Sequence, residues 1–205
     1  MPPPAYRIQT PRLVLRCWQP ADAPLLADAV TTSLDHLRPW MPWVQAEPEE
    51  LEAKVQRLRG FRARFDTDQD YIYAIFNAAE DEVVGGTGLH ARIGEGALEI
   101  GYWISARHVG KGFATESTAA LTRTGFELHG LERMEIRCDP ANERSASVPR
   151  KLGYTHEATL RANVRAVDGA RRDTMVWSLL RAEYPGSPSA AAQLQAWDAA
   201  GGPLL

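Results

Sequence analysis

Three stretches of this 205-residue sequence place reactive or ligand-holding residue types at spacings with a physical use. The first is Gly110-Lys111-Gly112, preceded by Arg107 and followed by Phe113-Ala114-Thr115. Between a strand and a helix, such a loop offers a phosphate the unpaired N–H groups and partial positive charge of a helix N-terminus. The glycines allow positive φ and close backbone approach, and Arg107 and Lys111 add charge. A glycine-softened strand-to-helix turn would look the same. A dinucleotide-binding loop fits less well, because Thr115 takes the third glycine's place and a meander of strands precedes the loop. A Walker A loop is excluded by the spacing and by the missing Lys-Ser/Thr pair. The second stretch is Leu-Glu-Ile-Gly-Tyr-Trp-Ile over residues 98–104, with Glu99 as a carboxylate in an otherwise apolar strand. Half-buried, such a group can take a proton from an amine directly or through water. Strand alternation equally allows Glu99 to face solvent, opposite in side to Leu98 and Ile100. The third stretch is Asn142-Glu143-Arg144-Ser145, opening a short helix with Pro149 inside it and Gly153 after it. Asn142 and Ser145 are cap-forming types, and Pro149 leaves the carbonyl of Ser145 without its helical donor.

Elements must hold these residues. Residues 12–18 (RLVLRCW) alternate Leu13, Leu15 and Cys17 against Val14, Arg16 and Trp18, the pattern of a first strand. A helix over 21–31 follows, with Pro24 in its tolerant first turn. The next helix has Glu47, Glu49, Glu50 and Glu52 at its start and Lys54, Arg57, Arg59, Arg62 and Arg64 toward its end, matching the helix dipole. Leu51, Val55, Leu58, Phe61 and Phe65 form its apolar stripe, and its bases read as a solvated face. Residues 71–76, Val83–His90 and 98–104 read as three antiparallel strands, the glycines of the second marking a bulge or a close backbone approach. The glycine loop opens a helix that runs to about 129 and stops at Gly130. Then come a strand over Arg133–Cys138, a helix over 142–152, and a hairpin of 154–160 with 173–180 turning through Asp168-Gly169. One domain over 9–181 is expected, between an arm of residues 1–8 and a loosely ordered tail over 182–205 with a helical stretch around 190–199. The order β α α β β β α β α β β defines a mixed α/β sheet with one strand–loop–helix–strand crossover.

Composition sets outer bounds. Hydrophobic residues at 44% and charged residues at 24% exclude a wholly disordered chain. Lys+Arg 23 against Asp+Glu 26 gives a net charge of −3, so nothing draws the whole molecule to nucleic acid. Cys17 and Cys138 lack CxxC spacing and read as reduced core residues. The five histidines show neither HExxH nor Cys/His spacing, so no metal is expected. No window approaches the roughly 20 apolar residues of a membrane span. The opening MPPPAYR lacks the pattern of a signal peptide. A cytoplasmic protein that engages no membrane is the expectation.

Arg107-x-x-Gly110-x-Gly112 with Ala114-Thr115 resembles the acyl-CoA pyrophosphate loop of the GNAT N-acyltransferases. Four more segments resemble its RimJ/RimL-type branch, which acetylates ribosomal-protein N-termini. They are Thr10-Pro11-Arg12-Leu13-Val14-Leu15-Arg16, Leu37-Arg38-Pro39-Trp40-Met41-Pro42-Trp43, Glu99-Ile100-Gly101-Tyr102-Trp103-Ile104, and Asn142-Glu143-Arg144-Ser145 leading to Lys151-Leu152-Gly153-Tyr154. They occur in family order and span roughly residues 9–181. The resemblance implies an α/β GNAT fold: a mixed, mostly antiparallel seven-stranded sheet, splayed between its fourth and fifth strands, with helices on both faces. It implies acetyl-CoA as donor, a primary amine as acceptor, no metal, no nucleic acid required, and a homodimer. By the same resemblance, Arg107, His108, Val109, Gly110, Lys111, Gly112 and Phe113 hold the cofactor, and Asn142 reaches the pantetheine. A backbone N–H near Ile104 stabilises the oxyanion, Glu99 is the base, and Ser145 donates to the departing sulfur. Many relatives carry a tyrosine where this chain has Pro149, so the thiolate's acid is in question. Trp40, Trp43 and Tyr102, with Trp103, are candidates for the acceptor pocket, although at least two of the four are expected in the core. His90 stands where relatives often carry a histidine, as a second base or, preferably, a plain strand-end residue. The acceptor is expected to be a protein N-terminal α-amine. Alternatives are a small-molecule amine, another acyl group such as succinyl, and a non-catalytic acyl-CoA sensor.

Overall fold

The structure, a computed structural model, describes residues 4–166 and 169–205. Among the described residues nine strands form one sheet: β1 Arg7–Gln9, β2 Leu13–Cys17, β3 Tyr71–Asn77, β4 Val83–His90, β5 Ala97–Ile104, β6 Arg133–Cys138, β7 Thr155–Arg165, β8 Arg171–Leu180 and β9 Gln195–Trp197. The helices are α1 Ala23–Thr31, α2 Leu34–Leu37, α3 Leu51–Asp66, α4 Phe113–Glu127 and α5 Glu143–Lys151. The strand order is β7-β8-β6-β5-β4-β3-β2-β1-β9. Every neighbouring pair is antiparallel except β5 with β6, which the α4 crossover makes parallel.

Alternation along the strands divides the core. Leu15, Tyr73, Ile75, Leu89, Leu98, Ile100, Met134 and Ile136 meet Leu121 and Phe126 of α4 and Ala146 and Val148 of α5. Val14, Ala74, Phe76 and Val83 meet Leu26, Ala29 and Val30 of α1 and Leu58 of α3 on the other face. The parallel ladder runs from Ala97↔Arg133 to Ile100↔Ile136 and stops, while β5 continues to Ile104 and β6 to Cys138. The two strands therefore splay apart, the fourth and fifth when counted from β2.

Four expectations need correction. Seven strands become nine, because residues 7–9, expected within or beside an arm, pair with β2. The tail is not loose, and its expected helical stretch is absent: β9 pairs with β1 through Ile8↔Ala196, and Ala196 is fully buried. Burying these short apolar segments covers an edge that β1 would otherwise leave unpaired. Third, the apolar stripe of α3 does not include Leu51, which is 49% exposed at the helix start. Fourth, Lys54 is not solvated but 1% exposed, with its ammonium 2.5 Å from Glu47 Oε1. The acids ahead of α3 fold back onto its first turns and hold a base inside. The final hairpin is longer than expected, with a register shift between Leu160 and Val164, and Asp168 of its expected turn lies outside the described residues.

Candidate active site

Two cavities flank the splay. One, about 720 Å³, runs from the glycine loop to α5, and the other, about 780 Å³, lies beyond it over β4 and β5. They share Trp40, Met41, Tyr102, Trp103, Asn142 and Ser145, so they meet where β5 has parted from β6.

The first cavity has the shape and chemistry of a phosphate-ended ligand site. Gly110 and Gly112 have φ of +79° and +81°, values an L side chain rarely adopts. Gly112 caps α4, whose first ladder bond runs from Glu116 N–H to Gly112 C=O at 3.0 Å. The amides of Phe113, Ala114 and Thr115 head the helix ahead of that bond. Ile104, His108, Val109, Gly110, Gly112, Phe113, Asn142 and Ser145 all line this cavity. Arg107 is held elsewhere, its Nη1 donating to Asp28 Oδ2 at 2.6 Å. The Lys111 ammonium lies 3.3 Å from His108 Nδ1, and its carbonyl accepts from Arg12 Nη1 at 3.0 Å. Cations that the sequence reading did not single out, Arg144 and Lys151, line the cavity instead. His36 also lines it, and burial together with the nearby Arg144 charge lowers its pKa.

At the junction, Asn142 Oδ1 accepts from the Ser145 N–H at 3.1 Å and so caps α5. Pro149 leaves the Ser145 carbonyl without a helical donor. Tyr102 supplies one across the splay: its hydroxyl donates to that carbonyl at 3.0 Å and lies 3.2 Å from Ser145 Oγ. Burial raises the Tyr102 pKa well above that of free tyrosine, so the hydroxyl keeps its proton. No sequence pattern pairs Tyr102 with Ser145; only the orphaned carbonyl signalled that a donor was needed.

The second cavity is aromatic at one end and charged at the other. Trp43 is 36% exposed and meets Trp103 edge to face at 5.8 Å. Tyr102 and Trp103 each pack against a core cluster while lining both cavities, so the expected division of the four aromatics between core and site is shared within single residues. Glu99 lines this cavity and is 5% exposed. Arg92 holds both its oxygens, through Nε to Oε2 at 2.9 Å and Nη2 to Oε1 at 2.5 Å. Arg137 Nε stands 3.8 Å from Oε2 and donates to Glu135. Arg172 reaches from the β8 hairpin to the Pro39 carbonyl at 2.8 Å and to Asp139 at 3.3 Å. His90 also lines the cavity, its Nδ1 2.7 Å from Asp70 Oδ1. The sequence reading singled out neither Arg92 nor Asp70, since neither belongs to a motif.

A sheet splayed beside a glycine loop at a helix N-terminus, with two cavities meeting at the splay, defines an enzyme of the acyl-CoA N-acyltransferase class. The family description "Acetyltransferase (GNAT) domain" matches residues 12–155, and the chain belongs to that family. It is 32% identical to an uncharacterised N-acetyltransferase p20 of Bacillus licheniformis over 184 residues, covering 87% of this chain and 98% of that one. It is 27% identical over 190 residues to the [ribosomal protein uS5]-alanine N-acetyltransferase of Escherichia coli, covering 89% and 95%. The structure of Mycobacterium smegmatis RimJ in complex with CoA-disulfide aligns with a TM-score of 0.81 at 25% identity, covering 93% of this chain and 95% of that one. The chain is thus a GNAT N-acetyltransferase related to the ribosomal-protein acetyltransferases.

Proposed function

We propose that this protein transfers the acetyl group of acetyl-CoA to the N-terminal α-amine of a protein, a ribosomal protein being the expected class. The observation that carries this reading is the meeting of the two cavities at Tyr102, Ser145 and Asn142. A thioester entering from one side and an amine from the other come together there, which supplies the proximity that acyl transfer needs. The pyrophosphate lies on the amides heading α4, with Gly110 and Gly112 allowing its approach. Asn142 holds the pantetheine. The amine attacks the thioester carbonyl, the Ile104 N–H stabilises the oxyanion, and Ser145, steadied by Tyr102, donates a hydrogen bond to the departing sulfur. Trp40, Trp43 and Tyr102 wall the acceptor's path, and Glu99, fixed by Arg92, sets a negative charge beside the incoming ammonium. The reading includes a cytoplasmic location and a homodimer, the latter tested by sedimentation.

A second reading has its own support. Arg92, Arg137 and Arg172 beside the acceptor path favour a small amine that carries a carboxylate, such as a free amino acid. Thiol release from acetyl-CoA, measured with N-terminal peptides and with small amines in competition, tests both. A higher kcat/KM on peptides supports the first, a higher one on amino acids supports the second, and no turnover on any amine rejects both.

A further inference from the structure

We propose that His90, oriented by Asp70, is the general base that removes the acceptor's proton; this rests on the acetyl-transfer reading above. In the β4–β5 pair, Gly88 stands opposite Gly101 and His90 opposite Glu99. A Cβ on Gly88 would lie 2.9 Å from His90 Cε1 and 3.0 Å from its Nε2, and one on Gly101 would lie 3.1 Å from Nε2. The imidazole therefore rests on a platform that only two glycines leave open, with Nε2 over Gly101. Gly101 follows Ile100, the last residue of β5 paired with β6, and precedes Tyr102 at the cavity junction. The platform sets the nitrogen over the residue between the end of the β5–β6 ladder and Tyr102.

Asp70 fixes the ring's other end at 2.7 Å. An ionised carboxylate only accepts, so Nδ1 carries the hydrogen and Nε2 of the neutral ring keeps its lone pair. The charged groups beside the ring or lining its cavity are Asp70 ahead of β3, Arg92 beyond β4, Glu99 on β5, Arg137 on β6, Asp139 after it, Arg57 on α3, and Arg165, Arg172 and Asp173 of the β7–β8 hairpin. Of the carboxylates, Asp70 is committed to the ring, Glu99 has both oxygens held by Arg92, Asp139 accepts from the Ala141 N–H and pairs with Arg172, and Asp173 accepts from the Ala162 N–H. His90 is left as the base with an undirected lone pair in the acceptor cavity.

The step balances. The ammonium gives one proton to Nε2, which passes it to water. The neutral amine forms the N–C bond and the C–S bond breaks. The second nitrogen proton ends on the sulfur, giving amide and CoA thiol.

The test is the pH dependence of kcat/KM for the full chain with acetyl-CoA and an acceptor peptide. His90→Gln should lower kcat/KM at neutral pH by about 10²-fold or more, the lower range for a lost general base, and remove the acid limb of the profile. CoA binding by calorimetry should be unchanged, which shows that the variant folds. Added imidazole should restore turnover to His90→Ala, and Asp70→Asn should displace the acid limb. Activity within threefold of the parent in His90→Gln, or no rescue by imidazole, overturns the assignment. So does an acid limb abolished by Glu99→Gln and kept by His90→Gln. If the parent turns over no amine at all, the acetyl-transfer reading fails with it; parental turnover with an indifferent His90 sinks only this assignment.

Discussion

Replacing Tyr102 by Phe removes one hydroxyl and leaves the ring. In the parent that hydroxyl donates to the Ser145 carbonyl at 3.0 Å and lies 3.2 Å from Ser145 Oγ. Pro149 has removed the helical donor, so in Tyr102→Phe a carbonyl beside the core has no protein partner. The bond is part-buried, so its loss costs about 1 kcal/mol, the net worth of an ordinary hydrogen bond. For a domain of this size each kcal/mol is worth about 2–4 °C in Tm, so a fall of about 2–4 °C is expected by thermal unfolding at fixed protein concentration. Ser145 also loses the contact that steadies its hydroxyl. Thiol release should then show kcat reduced about tenfold, the equivalent of about 1.4 kcal/mol, with KM for acetyl-CoA little changed because the glycine loop is untouched. Pro149→Ala supplies an N–H four residues after Ser145, so in the double variant it should recover stability but not kcat. The cycle would give a coupling energy of order 1 kcal/mol. A Tyr102→Phe variant with parental Tm and kcat would refute the reasoning, as would a double variant no more stable than Tyr102→Phe alone.

Gly112→Val forces a β-branched residue to φ +81° at the cap of α4; KM for acetyl-CoA should rise at least tenfold, read from initial rates. Lys54→Met leaves the buried Glu47 carboxylate with only Arg57, 3.7 Å away, as counter-ion and should cost about 3 kcal/mol, the low end for a broken buried pair, while Lys54→Met with Glu47→Leu should regain most of it in urea unfolding. Burial lowers the His129 pKa below the 6.5 of the free residue. The unfolded chain therefore binds the extra proton first, and stability should fall as pH drops through 6.5 toward the folded value; a His129→Phe variant should show a shallower fall. Deleting residues 194–205 strips β9 from β1 and should lower Tm and expose an edge prone to self-association, read by light scattering.

The central elements were legible because their signals are local. Period-two alternation marked β2 and β5, acid-to-base polarity marked α3, and a glycine pair after a strand marked the head of α4. What stayed hidden depends on contacts distant in sequence. Three-residue β1 and β9 have too few residues to show a period: β1 is a strand because it pairs with β2, and β9 because it pairs with β1. Lys54 reads as a surface base until Glu47 folds back over it. At the site, Pro149 announced an orphaned carbonyl, but its donor, Tyr102, lies 43 residues from Ser145. The Arg92–Glu99 clamp needed the register of β4 on β5 and the Asp70–His90 pair that of β3 on β4, which no periodicity specifies.

The account stands or falls on acyl transfer at the junction of the two cavities. The direct measurement is thiol release from acetyl-CoA, with mass spectrometry of the acceptor, across peptides that have free or blocked N-termini. The account predicts release with a 42-Da gain on the free α-amine, about the mass of one acetyl group in place of a proton, and none on the blocked peptide. Tight binding of acetyl-CoA without release in the presence of any amine would contradict it.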